Sequence, residues 1–531
     1  MKSLKFKIIG AILLLLLAGI YYYVTIPAIN IHSVGFWFFI ILLLLVGIVA
    51  YILCRQYGAF EIKRSKVVWT LGILLIIIIL VFIVGAILST ELVSAKQYQQ
   101  LLKVEDGEFT ADIEELSYEQ IPLLDKDSAT LLGDRKMGSM IDMASQFEVD
   151  DIYSQINYQG KPVRVSPLKY ADAIKWLTNQ SDGIPAYIMI DMATQETQLV
   201  KLSKGIKYST SEYFNRNIYR HLRFNYPTYI FDELSFEIDE EGVPYWVCPV
   251  IKYNIGLFGG QTIGRVVLCN AITGDTKDYA IEEVPQWVDR AHTADMLIGL
   301  FDYYGTLKHG FINSVLGQKD CLVTTDGYNY LAVDDDVWVY TGVTSVSGDQ
   351  SNVGFVLINQ RTMETKFYKV EGATERSAMD SAEGQVQNLE YKATFPLLLN
   401  ISGEPTYFIA LKDNAGLVKK YAMVNVQKYQ VVGIGDTVSE CEAQYQELLH
   451  KEGIQVEEDK RETGEITGKI TKLVQGVVDG NSHYYIMIEG SDAIYDVLVA
   501  DFIGVIKYEV GQEISMEYKI GKETNVVTAI K

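Results

Sequence analysis

The chain has 531 residues, with 46 Lys or Arg against 67 Asp or Glu and a net charge of −21. That length exceeds what one hydrophobic core supports, so two or more domains are expected. So acidic a surface repels phosphate backbones and excludes nucleic acid as a partner, and five cysteines with no CxxC or Cys/His spacing exclude a zinc site.

Three apolar runs open the chain: Ile8–Val24, Val34–Cys54 and Val67–Leu88. A hydrocarbon core of roughly 30 Å takes about twenty apolar residues as helix, and three N-terminal transmembrane helices are expected over 1–90. Lys2, Lys5 and Lys7 ahead of the first run fit the start of a secretory signal, but no small-x-small cleavage site follows in YYYVTIPAIN, so the segment is read as an uncleaved anchor. Basic residues stay on the cytoplasmic side of a crossing. Arg55, Lys63, Arg64 and Lys66 fill the second loop, whereas Thr25–Ser33 carries no charge. The expected arrangement is a plasma-membrane protein with a cytoplasmic N-terminus and everything after about residue 90 extracytoplasmic. Seven basic residues against Glu61 up to residue 90 leave the remainder at −27, from 39 basic and 66 acidic residues.

Residues 91–160 read as a helical and irregular membrane-proximal region, with a small-residue helix at 123–140. Beyond them a pattern recurs. YIMIDMATQET has Asp191, Thr194 and Thr197; VVLCNAITGDT has Asn270, Thr273 and Thr276; FVLINQRTMET has Asn359, Thr362 and Thr365. Each is an apolar strand, Asp or Asn, then Thr at +3 and +6. Asp and Asn bond their own backbone two residues on and tolerate the left-handed region, so each copy reads as strand, tight turn, strand. A decayed fourth copy is YAMVNVQKYQVV, with Asn425 but neither Thr. Helical stretches at 167–177, 211–224 and 374–387 precede the hairpins, and GIPAY, GVPYW and GEPTY give a Gly-x-Pro turn closed by an aromatic at a strand entrance. In the hairpin Tyr245–Ala271, a tip near Phe258-Gly259 puts Cys248 opposite Cys269, where a disulfide is possible; the alternative is two buried thiols.

Helix, Gly-x-Pro-x-aromatic strand, Asp-x-x-Thr-Gly turn and closing strand resemble PepSY-type domains, best in FEIDEEGVPYWV with VVLCNAITGDTKDY. The resemblance spans about 120–450 in several irregularly spaced copies and covers 161–284 and 331–453 as PepSY-like repeats. It implies a bacterial cell-envelope protein from a Gram-positive membrane-protein family, with the repeats as regulatory or extracytoplasmic modules.

Between the repeats, 285–330 is an aromatic-rich insert in which Trp287, Phe301, Tyr303, Tyr304 and Phe311 line a groove or fill a helical core. Asp334, Asp335 and Asp336 are the densest acidic run, a weak Ca²⁺ site or a solvated turn. Asp289, Arg290 and Arg361 are candidates for buried pairs between repeats. After a charged linker at 454–463, residues 464–531 give five short alternating strands and are similar to an OB-type barrel, here with six Lys against ten Asp or Glu.

The expected fold class is therefore α+β: membrane helices, extracytoplasmic repeats of helix plus antiparallel sheet, and a small C-terminal β-barrel. Gly-x-Ser-x-Gly, HExxH, a P-loop and an EF-hand loop are absent, and no cofactor is expected. The function expected is membrane-anchored binding or scaffolding in the envelope, with a protein or wall polymer as partner and the sheet edges as the binding surfaces. Two other classes stay open. One is an envelope hydrolase or peptidase with carboxylates in 285–340, the other an accessory subunit of a transporter or secretion complex.

Overall fold

The computed structural model describes residues 2–55, 65–113, 121–122, 124–333, 335–345, 351–452, 454, 463–478, 481–499, 502–520 and 524–531. Asp334, Lys63, Arg64 and nearly all of the 454–463 linker lie outside them. The chain forms two compact units, Met1–Asn400 with Pro405–Val432, and Ile401–Glu404 with Gly433–Lys531.

The first unit begins with helices α1 (Lys2–Thr25), α2 (Val34–Arg55), α3 (Lys66–Leu88) and the short α4 (Glu91–Gln99). Two of them, over Val34–Ile52 and Lys66–Leu88, are long and apolar enough to cross a membrane, and almost none of their apolar surface is buried by the protein. This corrects the expectation of three spans. Among the described residues of α1 the apolar stretch is Ile12–Thr25, about 21 Å at 1.5 Å per residue and shorter than a hydrocarbon core of roughly 30 Å.

The β-rich part of this unit repeats one device. In each copy the Asx oxygen accepts two backbone N–H groups: Ala193 and Thr194 donate to Asp191 Oδ1 at 2.9 and 2.8 Å, Ile272 and Thr273 to Asn270 Oδ1 at 3.0 and 2.9 Å, and Arg361 and Thr362 to Asn359 Oδ1 at 2.8 and 2.9 Å. The +3 Thr hydroxyl then accepts the N–H two residues on, from Glu196, Asp275 or Glu364. The residue between them is left-handed each time, as Gln195, Gly274 and Met363. Asn425 repeats the first step with Gln427 and Lys428.

The Gly-x-Pro motif is equally regular. Gly183, Gly242 and Gly403 have φ of +81°, +77° and +77°, a region that costs side chains but not glycine. The aromatics that follow, Tyr187, Trp246 and Tyr407, are fully buried, and each spends its polar atom on a backbone oxygen, of Gly242, Tyr208 and Ala373 respectively.

Each hairpin belongs to an antiparallel sheet. The first sheet holds Lys161–Tyr170, Ile184–Asp191 and Thr197–Ile206 with two shorter strands at 147–149 and 154–158; the second is the meander Ser235–Ile238, Pro244–Ile255, Gly259–Asn270, Thr276–Ala280. One hydrophobic core serves both, with Phe236 edge-on to Tyr187 and Trp246. The third sheet carries Gly354–Asn359 and Thr365–Tyr368 beside Asp336–Ser345, and takes Glu105–Gly107 in parallel at its edge.

The helices expected before the hairpins are met unevenly. Glu375–Gln385 is helical behind its Thr374 cap, and Ile218–Asn225 occupies the end of the second stretch. Residues 167–170, expected as helix, finish the strand Lys161–Tyr170 instead; Pro167 pairs opposite Tyr187, and the helix starts only at Ala173, behind the Asp172 cap. Pairing against a buried neighbour overrides the helical spacing read from 167–177. The 285–330 insert supplies the helix Ala294–Thr306 and the strands Leu322–Thr324 and Asn329–Val333 of the third sheet.

In the second unit, the helix Val438–Lys451 starts on a full capping box made by Thr437 and Glu440. Five strands then close into a barrel in the order Thr463–Val478, Asn481–Ile488, Ile494–Leu498, Asn525–Ile530, Glu513–Lys519. Closure depends on the 16-residue first strand, which pairs with the fifth-listed strand through its first half and with the second through its other half, bending at a bulge between Ile470 and Lys472.

Candidate functional site

Three places carry the site chemistry of this chain: a buried carboxylate network, two surface recesses, and the seat of the β-rich part on the N-terminal helices.

The network begins at Glu237, fully buried on the short strand Ser235–Ile238. Its carboxylate accepts the backbone N–H groups of Asp289 (2.9 Å) and Arg290 (3.2 Å) and the Ser235 hydroxyl (2.8 Å). Asp289, 1% exposed, accepts the Asn157 N–H at 2.7 Å, while its Oδ1 is buried with no protein partner. Burial raises the carboxyl pKa of both, and the Glu237 charge pushes Asp289 further, well above the ordinary range. Asn157 links onward, its Nδ2 donating to Asp335 at 3.0 Å.

Beyond Asp335 the chain reaches Asp336, which closes on Arg361 through two bonds of 2.7 Å and accepts Asn359 Nδ2 at 2.8 Å. Asn359 thus serves the third repeat turn with its oxygen and the ion pair with its nitrogen. Arg290 pairs with Glu233 at 3.2 Å. Arg361 and Arg290 do form ion pairs, but not the expected buried pairs between repeats: Glu233 is 68% exposed, Arg361 and Asp336 belong to the same repeat, and Asp289 pairs with neither. Asp334 lies outside the described residues; of the rest of the acidic run, Asp336 is spent on Arg361 and Asp335 accepts amides from Asn157 and Gln286, and among the described residues no group of three His, Cys, Asp or Glu can hold a metal.

A recess of about 210 Å³ opens on this network, lined by Asp112, Asp336, Trp338, Arg361, Glu364 and Lys366 among others. Asp112 faces Lys366 at 3.5 Å. With Asp336 and Asp112 both engaged by cations, the recess lacks the pair of available carboxyls that hydrolysis needs. A second recess, of about 500 Å³, lies in the barrel unit between Phe502, Val505, Lys507, Tyr508, Gln512 and Ile530. It is the larger of the two, with polar and apolar lining in nearly equal measure and Lys507 as its charged group.

The aromatics of the expected groove are divided among cores: Trp287 packs on Tyr245 in one apolar cluster, Phe301, Tyr303 and Tyr304 share another, and Tyr303 and Phe311 also pack in a third with Tyr98. The disulfide does not form. The hairpin turns around Leu257, with Ile255 opposite Gly259, earlier than the sequence suggested, and the bulge between Val250 and Ile251 recovers only one residue of the register. Cys248 then faces Val267 and Cys269 faces Trp246, and both thiols are free and buried. Burial pushes the Cys269 thiol up to about 12 and raises that of Cys248 well above the ordinary thiol range.

The tip of that same hairpin, Gly256 to Gly259, meets the helices. Phe258 N–H donates to Ser89 Oγ at 2.9 Å, and Tyr98 hydroxyl donates to Ser89 O at 2.5 Å. Leu257 lies so close to α3 that a Cβ on Gly85 would fall 2.3 Å from its Cδ1, and the Phe258 ring packs 5.3 Å from that of Phe82. On the other side His32 Nδ1 lies 2.7 Å from Leu257 O, its ring stacked on Tyr253. The α1–α2 turn is bonded as well: Ile29 N–H donates to Pro227 O and Asn30 Nδ2 to Thr228 O, while Arg223 Nε donates to Ile26 O at 2.9 Å. The Gly pattern of GLFGG was the sequence signal for this seat, unread there because nothing local tells a hairpin tip from a docking point.

The outer strands of the first two sheets, Thr197–Ile206 and Thr276–Ala280, carry Lys201, Lys204, Lys277 and Asp278, and the first is broken by a register shift between Ile184 and Ala186 of its neighbour. Charged, bulged edges resist strand addition. In comparison with known proteins, the chain matches no protein-family model, and no curated protein is significantly similar to it in sequence.

Proposed function

We propose that this chain is a membrane-anchored protein of the bacterial cell envelope whose β-rich part works outside the cytoplasm by binding or scaffolding. The observation that carries the reading is the seat of the hairpin tip on α3: a folded part bonded to the ends of apolar helices through Ser89, Tyr98 and His32 is held at fixed height and orientation, as a scaffold requires. A flexible linker would serve a tethered enzyme as well. Helices α2 and α3, with their apolar side chains facing outward, supply the anchor.

The resemblance of the repeats to PepSY domains and of the barrel to an OB-fold supports binding modules over catalysis. The hydrolase reading loses ground to the paired state of Asp336 and Asp112 and to the burial of Asp289. With charged sheet edges, the barrel recess is the better place for a small ligand or polymer end, and its mixed lining, with Lys507 beside Phe502, Val505 and Ile530, suits a group with both an anionic and an apolar part.

The test has two arms. A membrane-impermeant maleimide should label Glu241→Cys in intact cells; labelling only after lysis would reverse the orientation. Cross-linking in native membranes should then capture a partner that a chain ending at residue 90 does not. A partner kept by the helices alone would favour the accessory-subunit reading.

A further inference from the structure

The reading of α2 and α3 as membrane spans fixes where a bilayer surface would lie, at the ends of these helices near Thr25, Val34 and Ser89. The β-rich part exposes large apolar side chains at that level. On Ile218–Asn225, Ile218 and Leu222 face the core, while Tyr219 and Phe224 are each 47% exposed. This helix lies against the end of α1: Arg220 sits 5.1 Å over the Tyr23 ring, Phe224 lies 6.1 Å from the same ring, and Arg223 bonds Ile26 O. On the far side of the seat, α4 begins two residues after α3 and leaves Leu92 63% exposed. The turn after Ala294–Thr306 exposes Ile312 and Leu316 to 71% and 81%. Phe311, one residue before it, packs with Tyr98 and Ile255, the residues that flank Ser89.

Exposed apolar groups of this size, scattered singly, need no explanation; grouped beside helices that end in a bilayer, they have an occupant. We propose that this face of the β-rich part is a lipid-contacting surface, with the aromatic and aliphatic side chains of Ile218–Asn225, α4 and the 312–316 turn seated in the interfacial layer of the bilayer that α2 and α3 cross. Arg220 and Arg223 stand among them, where aromatic and basic residues are favoured beside acyl chains and lipid phosphates. The occupant is lipid because the surface is continuous with the membrane helices. The proposal rests on the membrane-spanning reading.

The experiment is nitroxide accessibility on the full chain in phosphatidylglycerol–phosphatidylcholine vesicles, with single labels at Phe224→Cys, Leu316→Cys, Ile77→Cys and Glu241→Cys. Ile77 is the mid-span reference on α3. Glu241 is the water reference, because it is exposed at the far end of the strand Pro244–Ile255, about 35 Å from the tip at the rise of a β-strand. Leu316 and Phe224 are expected to show an oxygen-to-nickel collision ratio several-fold above that of Glu241 and below that of Ile77. An oxygen-rich Ile77 with Leu316 and Phe224 equal to Glu241 overturns the lipid surface and leaves the spans standing. A nickel-accessible Ile77 overturns the spans and the surface together.

Discussion

Replacing Gly259 with Ala tests the seat at its tightest point. A Cβ built on Gly259 falls 2.4 Å from Ser89 O, 2.3 Å from the Tyr98 hydroxyl and 3.1 Å from Ile255 O. Neither of the first two can move freely, because Tyr98 OH donates to Ser89 O and Ser89 Oγ accepts Phe258 N–H. The added methyl must break or stretch that pair of bonds. Overpacking costs about 1–3 kcal/mol, and a lost buried hydrogen bond adds about 0.5–1.5 kcal/mol, so a destabilisation of roughly 2–4 kcal/mol is expected at the junction. Hydrogen exchange reads it directly. The Phe258 amide should exchange at least ten-fold faster, since each 1.4 kcal/mol is about a factor of ten, while the Val267 amide, paired deep in the same hairpin, should hardly change. Unaltered protection of Phe258 in the Gly259→Ala protein would refute the docked hairpin tip and the rigid mounting built on it.

Ala at Asp191, Asn270 or Asn359 removes the acceptor of two backbone N–H groups and should cost about 1–2 kcal/mol each in thermal melts, with Asn359→Ala the worst because it also releases Asp336. Asp289→Asn should change the pH dependence of stability. The folded-state pKa of Asp289 is raised, so the folded protein holds a proton that the unfolded chain releases above the ordinary carboxylate range, and wild-type stability falls as pH rises from there toward the raised value. The Asn variant should lose that slope in urea titrations at pH 5 and 8; an unchanged slope would mean that Asp289 is ionised. His292, buried and lowered to about 4, acts on the acid side: its share of stability is intact above about 6.5 and lost as pH falls through 4, so His292→Gln should flatten that limb. Gly299→Ala, where a Cβ meets nothing within 4 Å in the middle of Ala294–Thr306, should raise the melting temperature through helix propensity worth about 0.5–1 kcal/mol.

What the sequence by itself determined is local chemistry. The three Asx turns follow from residues at fixed offsets that bond their own backbone, the glycines of Gly-x-Pro from a left-handed φ, and the five barrel strands from alternation at period two. Apolar length alone decided that α2 and α3 can span a membrane. What only the tertiary structure decided is pairing over distance. Residues 167–170 became strand because Tyr187 lies opposite Pro167, and Cys248 missed Cys269 because the hairpin turned early, around Leu257, and its bulge recovered only one residue of the register. The aromatics of 285–315 were divided among three cores. Glu237 and Asp289 met through a backbone N–H that no spacing announces, and Ser89 found Phe258 across 169 residues. Such contacts depend on which surfaces come together on folding, and a hydrogen bond or ion pair between distant residues leaves no period in the chain to read.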